Sequence, residues 1–370
     1  MAKSTTFVGI DAHKKSLYVT ICHTAAKKEQ FEVLNTEKAV KKLAKKLNKH
    51  FPVSVCYEAG PCGYILQRAL VKQGVPCAVI APSLIPQKPG ERVKTDKRDS
   101  KKLAELFGAG LLTEVHPPTP AEESVRELCR AREDAKDDQK RAKNRIGKFL
   151  LRKGKFYTAG KLAWTKVYVH WLQKLVFEHA ADQMTYEHYL ITLNQAAERL
   201  EEITEKVEEV SKTGPYREPI AYLSCLHGIK TVSAMTIFTE LHGFCRFSSP
   251  RRLMSFLGLT PSEFSSGGKR QRGSITKTGN AHVRRILVEA AWNHRKRPMN
   301  GKGVRARRSG QPGWVLAIAQ KCQKRLFKRY WKLQMAGKNS KKTAVAIARE
   351  MVGFIWSILI DPRGSASTIN

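Results

Sequence analysis

Four carboxylates and one hydroxyl stand out for what their positions would allow. Asp11 ends the apolar run Thr6-Phe7-Val8-Gly9-Ile10, and Glu58 ends a second one, Val53-Ser54-Val55-Cys56-Tyr57. Asp96 and Asp99 lie in Lys94-Thr95-Asp96-Lys97-Arg98-Asp99, at the start of a helix-forming stretch through Leu103 and Leu106. A spacing of three places both aspartates on one face of that helix's first turn. Carboxylates drawn from strand ends and a nearby helix form an oxygen-rich cage for Mg2+ or Mn2+, hard ions that activate a nucleophile and stabilise a leaving oxygen in phosphoryl transfer. Singly, each has a plainer reading: Asp96 and Asp99 as favourable charges at a helix N-terminus, Asp11 as a turn residue, Glu58 as the partner of a lysine. Together, in a basic protein, they point to a nuclease-like centre.

The hydroxyl is that of Ser266, in Phe264-Ser265-Ser266-Gly267-Gly268-Lys269-Arg270. Gly258-Leu259-Thr260-Pro261 precedes it; Gly273 to Asn280 and a helix carrying Arg284 and Arg285 follow. A serine among glycines in a basic loop can come close to a phosphodiester, and it becomes a nucleophile if a base or metal takes its proton. Ser-Gly-Gly is also a common flexible loop, and on chemistry alone that reading is the stronger. Lys269, Arg270, Arg272, Lys277, Arg284 and Arg285 are the cations expected to hold a nucleic-acid backbone here. Upstream, Leu226-His227-Gly228-Ile229-Lys230 sets a glycine turn between two apolar helical segments; it reads equally as a phosphate-binding helix-hairpin-helix and as an ordinary helix connection.

The elements that must position these residues follow from periodicity. Asp11 closes the first of three strands, with Ser16 to Cys22 and Gln30 to Leu34 as the others. Thr36 opens a helix with Val40, Leu43, Ala44 and Leu47 on one face, and the strand ending at Glu58, a helix from Tyr64 to Lys72 and a strand from Cys77 to Ile80 follow. Meander, helix, strand, helix, strand is the order of a mixed α/β sheet of the ribonuclease H kind. Residues 120–212 read as helical, with Leu193, Ala196, Leu200, Ile203, Val207 and Val210 forming an a/d seam that serves either packing within the chain or a dimerisation arm. Gly214-Pro215 breaks that helix. Beyond it the chain is helical and basic, and no Asp or Glu occurs between Arg295 and Lys342. That stretch reads as a phosphate-contacting surface, with Trp314, Phe327, Tyr330 and Trp331 expected in the core rather than as base-stacking platforms.

Composition agrees with a nucleic-acid partner. In 370 residues, 67 Lys and Arg against 32 Asp and Glu leave a formal charge of +35, spread along the chain rather than gathered on one amphipathic helix, which disfavours a membrane surface. The eight cysteines form no CxxC pair and, with no signal peptide at the start, read as reduced cytosolic thiols. No Cys or His pair has the short spacing usual for zinc. A GxxxxGK[ST] loop is lacking, so no nucleoside triphosphate is expected.

In this order the motifs resemble one family, the DEDD transposases of the insertion sequence 110 family, the bridge-RNA-guided recombinases. The markers are Gly9-Ile10-Asp11, Glu58-Ala59-Gly60, Thr95 to Asp99, the turn at His227-Gly228-Ile229-Lys230, Gly258-Leu259-Thr260-Pro261, the Ser-Gly loop and Lys277-Thr278-Gly279, covering nearly the full chain. The resemblance implies a RuvC-like domain (1–118) whose Asp11, Glu58, Asp96 and Asp99 bind Mg2+ or Mn2+, a helical coiled-coil linker (119–214), and a mainly helical transposase domain (215–370) whose serine attacks DNA. Spacing after Gly258-Leu259-Thr260-Pro261 puts that serine at Ser266, with Ser265 one residue off register. It further implies double-stranded donor and target DNA, a structured guide RNA, and a homo-oligomer, dimer or tetramer, that joins RuvC-like and serine domains of different protomers. His227 and Lys230 depart from the family's turn, which often has Pro and a second Gly. A hydrolytic RuvC-like nuclease, with the serine loop used for binding only, and a non-catalytic nucleic-acid scaffold are the alternatives.

Overall fold

Period-two burial runs through the strands at the start of the chain. The computed structural model describes residues 5–23, 27–87, 90, 95–160, 163–268, 271–299 and 301–360, so Lys94, Lys269 and Arg270 lie outside the described residues. The chain divides into two compact units, Met1–Pro118 and Thr119–Asn370. In the first, β1 (Thr6–Ala12), β2 (Ser16–Cys22) and β3 (Lys28–Leu34) form an antiparallel meander. Then come α1 (Glu37–Asn48), β4 (Val53–Glu58), α2 (Ile65–Lys72), β5 (Cys77–Ile80), α3 (Asp96–Gly108) and the short β6 (Glu114–Val115). The sheet order is β3-β2-β1-β4-β5-β6, with β1, β4 and β5 parallel and β6 antiparallel to β5.

The pleat sorts the two faces of that sheet. Val8, Ile10, Leu17, Val19, Ile21, Val55 and Tyr57 pack with Leu43 and Leu47 of α1 and with Leu66 and Leu70 of α2. The opposite face, through Cys56 and Ile80, receives Leu103 of α3, and Phe7 meets Phe107 edge-on with ring centroids 5.7 Å apart. Thr36 caps α1 with its side chain, as its place before the apolar periodicity indicated.

The second unit begins with a long helical pair. α4 (Pro120–Arg152) starts in a capping box between Thr119 and Glu122. After α5 (Lys166–Gln173), α6 (Ala180–Val210) returns antiparallel to α4: Arg132 Nε donates to Thr204 Oγ1 at 3.1 Å, while Phe149 stacks with Tyr186. The seam on α6 packs inside this unit. Val207 is buried in the same core as the later helices with Ile203 and Val210 against it, and Leu193 packs on a smaller aromatic cluster around Phe149, Tyr168 and Tyr186.

The remaining elements are α7 (Arg217–Ser224), α8 (Thr231–Leu241), α9 (Pro250–Phe256), a hairpin of β7 (Pro261–Glu263) and β8 (Arg272–Ile275), α10 (Ala281–Ala291), α11 (Lys302–Arg308), α12 (Gly313–Met335) and α13 (Ser340–Leu359). No helix among the described residues is long and apolar enough to cross a membrane. The first unit is thus mixed α/β around a six-stranded sheet and the second largely helical.

Candidate active site

Register and pleat place the first two carboxylates. Gly9 pairs with Cys56 and Ile10 with Tyr57 across parallel strands, so Asp11 and Glu58 follow at the carboxyl ends of neighbouring strands. Both share the face of Gly9 and Cys56, the face that α3 covers. α3 can lie that close because residue 9 is glycine: a Cβ there would collide with the Ser100 carbonyl oxygen and come within 2.5 Å of the Ala104 nitrogen. A polar ladder fixes the helix laterally. Thr20 Oγ1 lies 2.8 Å from Ser100 Oγ in a buried contact, and Gln30 Nε2 donates to Thr20 Oγ1 at 2.9 Å and to the Lys97 carbonyl at 3.1 Å. Thr95 caps α3 by accepting from the Arg98 amide at 3.3 Å, so Asp96 and Asp99 fall in the first turn, where the helix dipole favours negative charge.

Asp11 and Asp96 come together through a residue that is not one of the four carboxylates. His13 Nε2 lies 3.4 Å from Asp11 Oδ2 and 3.5 Å from Asp96 Oδ2. Each of the three offers a ligand atom within 4.8 Å of the others; Glu58 and Asp99 stand outside that group, Glu58 exposed and Asp99 half-buried. The signal for His13 was its place two residues after Asp11, in the turn that leads to β2. A second group, His23, Glu29 and His50, also offers ligand atoms within 4.8 Å of one another, with Lys46 already on Glu29. His23 and His50 are 27 positions apart, a separation that local spacing rules do not search.

Ser266 stands near the tip of the β7–β8 hairpin, where the sequence suggested only a loop; strands of three and four residues rich in Ser, Gly and Pro carry little strand signal. It is exposed, and Gly267 and Gly268 after it adopt φ of 56° and 78° with open space around them. Ser265 Oγ donates to Glu263 Oε1 at 3.0 Å, and Arg272 Nε to Glu263 Oε2 at 3.2 Å. The base of the hairpin is locked backbone to backbone. Gly258 and Gly279 both have positive φ; a Cβ on Gly258 would lie 2.5 Å from the Thr278 nitrogen, and one on Gly279 would collide with the Phe256 carbonyl oxygen. The two glycine motifs therefore hold one another, and Lys277 is exposed in a left-handed conformation between them.

The expected phosphate contacts divide. Arg284 Nη1 donates to the carbonyls of Leu257 and Thr278, both at 3.0 Å, so it braces the glycine lock. Arg285 pairs with Glu133 on α4 and, at 3.1 Å, with Glu289. These two guanidiniums are engaged within the chain; Arg272, itself on Glu263, also lines an open cleft of about 660 Å³ with Arg329, Lys338, Lys341, Lys342 and Arg349, between the hairpin and α12–α13. The last four of these lie on or beside α13, part of the basic surface that the sequence located only as far as Lys342. Gly228, in the turn between α7 and α8, has φ of 89° and its Cβ would be 2.7 Å from the Ala290 carbonyl oxygen, so the turn packs on α10.

Beneath the site, buried Glu240 of α8 organises the helices. Arg130 donates to its two oxygens at 2.7 and 3.0 Å, and Asn280, the N-cap of α10, donates at 2.6 Å. Burial pushes this carboxyl upward, but the hydrogen bonds and charge of Arg130, with help from Asn280, outweigh it and hold the pKa below the usual value. Of the aromatics expected in the core, Tyr330 is buried, Trp314 and Phe327 are half-buried, and Trp331 is 44% exposed.

Residues 8–153 match the DEDD transposases of insertion sequence IS110, and residues 221–303 match the family described as Transposase IS116/IS110/IS902 family. The chain is 38% identical over 365 residues to the putative transposase y4qE of Sinorhizobium fredii, covering 98% of this chain and 90% of that protein. It is 34% identical to the transposase for insertion sequence element IS1533 of Leptospira borgpetersenii, over 90% of this chain and 97% of that one. At 22% identity it also matches the transposase for IS1111A of Coxiella burnetii, over 79% of this chain. The chain belongs to the IS110/IS116 family of DEDD insertion-sequence transposases.

Proposed function

We propose that this transposase cuts and rejoins DNA through a serine nucleophile, Ser266, working with a divalent ion, Mg2+ or Mn2+, held by Asp11, Glu58, Asp96 and Asp99. The observation that carries the reading is the placement of Asp11 and Glu58 at neighbouring parallel strand ends, on the face where the first turn of α3 brings Asp96 to within one histidine of Asp11. Four carboxylates supply the hard oxygen donors that such ions prefer, and the close docking at Gly9 gives the cage a rigid floor. When bound, the ion supplies Lewis-acid polarisation of the scissile phosphate and eases loss of the serine proton.

The chain's own residues would do the rest. Ser266 Oγ attacks phosphorus, the bond to the leaving strand's oxygen breaks, and the phosphoserine ester keeps the bond energy for religation. Arg272, Lys277 and the cleft lysines of α13 neutralise and align the phosphates, a sequence-independent grip that leaves site choice to base pairing with a guide RNA. The domain limits 1–118, 119–214 and 215–370, with a RuvC-like first domain, and a homo-oligomeric working form belong to the same proposal.

The test mixes protein, Mg2+, the RNA from the element's non-coding end and labelled donor and target DNA, then separates products under denaturing conditions. The expected result is a protein–DNA adduct that disappears with Ser266→Ala and with Asp11→Asn and survives in Ser265→Ala. Metal-dependent cleavage without an adduct, unchanged in Ser266→Ala, would instead mean a hydrolytic nuclease. Loss in Ser265→Ala alone would move the nucleophile by one residue, onto the hydroxyl that Glu263 contacts.

A further inference from the structure

We infer that Trp331 is a stacking platform for an unpaired base, and that its cleft binds single-stranded DNA. α12 buries Val315, Ala319, Cys322, Leu326 and Tyr330, a stripe at helical spacing. Trp331 falls one residue, about 100° of helical rotation, beyond that stripe and stands 44% exposed, with Met335 one turn on at 86%. An indole left on the surface of a helix that has a complete core stripe is not needed for packing.

Its orientation is nonetheless fixed. Trp331 Nε1 donates to the Arg295 carbonyl at 3.1 Å, and the Tyr330 ring meets it edge-on with centroids 5.7 Å apart. The indole's polar edge is thus satisfied by the protein, which leaves a ring face to a ligand. Around it is a cleft of about 610 Å³ whose charged lining, Arg295, Arg297, Lys328 and Lys332, is entirely cationic. All four are exposed, and among the described residues none has an acidic partner. By contrast Arg325 and Arg329, on the next face of α12, both pair with Glu350 at 3.1 Å.

An oriented aromatic ring inside a cage of unneutralised cations fits a ligand with a π-face and a phosphate on either side, which is a nucleotide whose base is free. Duplex bases are stacked and hide their faces, so the occupant is a single strand, and the transposase reading, on which this rests, makes that strand DNA exposed during strand exchange.

Direct binding tests it, with labelled oligothymidylate, oligouridylate and a duplex as probes across a salt series. Trp331→Ala is expected to weaken oligothymidylate binding by about fivefold to about a hundredfold, the range that one base–aromatic stack supports. The slope of log affinity against log salt should not change, and Trp331→Phe should retain most of the affinity. Lys328→Ala should lower that slope by about 0.7. Unchanged binding by Trp331→Ala, an equal loss on the duplex, or Trp331-dependent binding more than about tenfold tighter for oligouridylate would each overturn the assignment. Adduct formation through Ser266 is a separate readout, so failure of this inference is distinguishable from failure of the serine mechanism.

Discussion

The two candidate centres are built in opposite ways. Around Asp11 the rigidity is at the site itself: α3 sits on Gly9 without room for a methyl group, and the carboxylates extend from strand ends and a capped first turn. Around Ser266 the rigidity lies one step back, in the interlocked Gly258 and Gly279, while the tip with Gly267 and Gly268 has open space. A cage of charged ligands needs fixed distances, because small displacements of like charges cost affinity. A nucleophile that must reach an incoming phosphate and later release it gains from a short movable tip on a fixed base. On the proposed mechanism, one unit supplies position and the other reach.

The largest effect expected from this contrast is at the floor of the carboxylate site. Gly9→Ala should destabilise the first unit by about 3 kcal/mol, because the methyl group cannot enter without pushing α3 off the sheet. Denaturation followed by hydrogen exchange, resolved by unit, would measure it. Binding of Mn2+, read by calorimetry, should weaken in the same variant. Wild-type stability with wild-type metal binding would show that the close approach of α3 is not what sets the site.

The sequence revealed the first unit better than the second for a physical reason. Its strands are long enough for apolar alternation to show, and Asp11, Glu58, Asp96 and Asp99 sit at element ends that periodicity and the Thr95 cap locate. His13 was missed because a turn histidine has no signature of its own until β1, β2 and α3 are assembled. In the second unit, β7 and β8 are short and glycine-rich, and the hairpin exists because Gly258 and Gly279 interlock, a contact between distant backbone segments. The charge of Arg284 and Arg285 is visible in a sequence, while the Leu257 carbonyl and Glu133 that engage them are not. Trp331 was within reach: the phase of the buried stripe on α12 already puts it outside the core.

A middle-sized effect should separate the units by pH. In the second unit His294 is buried and His227 half-buried, with ring centroids 5.6 Å apart. Burial, joined by the neighbouring His227, pushes His294 down to about 3, and burial likewise lowers His227. A histidine with a depressed folded pKa is held neutral by the fold. Its contribution is present above the unfolded value near 6.5 and is lost as pH falls from there toward the folded value. At a pH of about 5 the His294 contribution lost is about 2 kcal/mol. The second unit should therefore melt first on acidification, and His294→Asn should flatten its pH dependence between about pH 6.5 and pH 4. If the first unit melts first, the comparison of rigid and movable parts does not extend to stability.

The smallest effect is at the hairpin tip. Gly267→Ala meets no neighbouring atom, but alanine at φ of 56° costs about 1 kcal/mol. Because the tip carries no core residue, that strain can be released by local rearrangement instead of being felt by the whole unit, so the melting curve should barely move. The rearrangement would displace Ser266, the residue just before it. Single-turnover adduct formation should then slow by about fivefold, while oligonucleotide affinity stays the same, since about 1 kcal/mol is about a factor of five in rate. Gly9→Ala and Gly267→Ala would thus be opposite in kind, one costing stability first and the other rate. A Gly267→Ala protein with unimpaired adduct formation would mean that the tip needs no left-handed residue to present its serine.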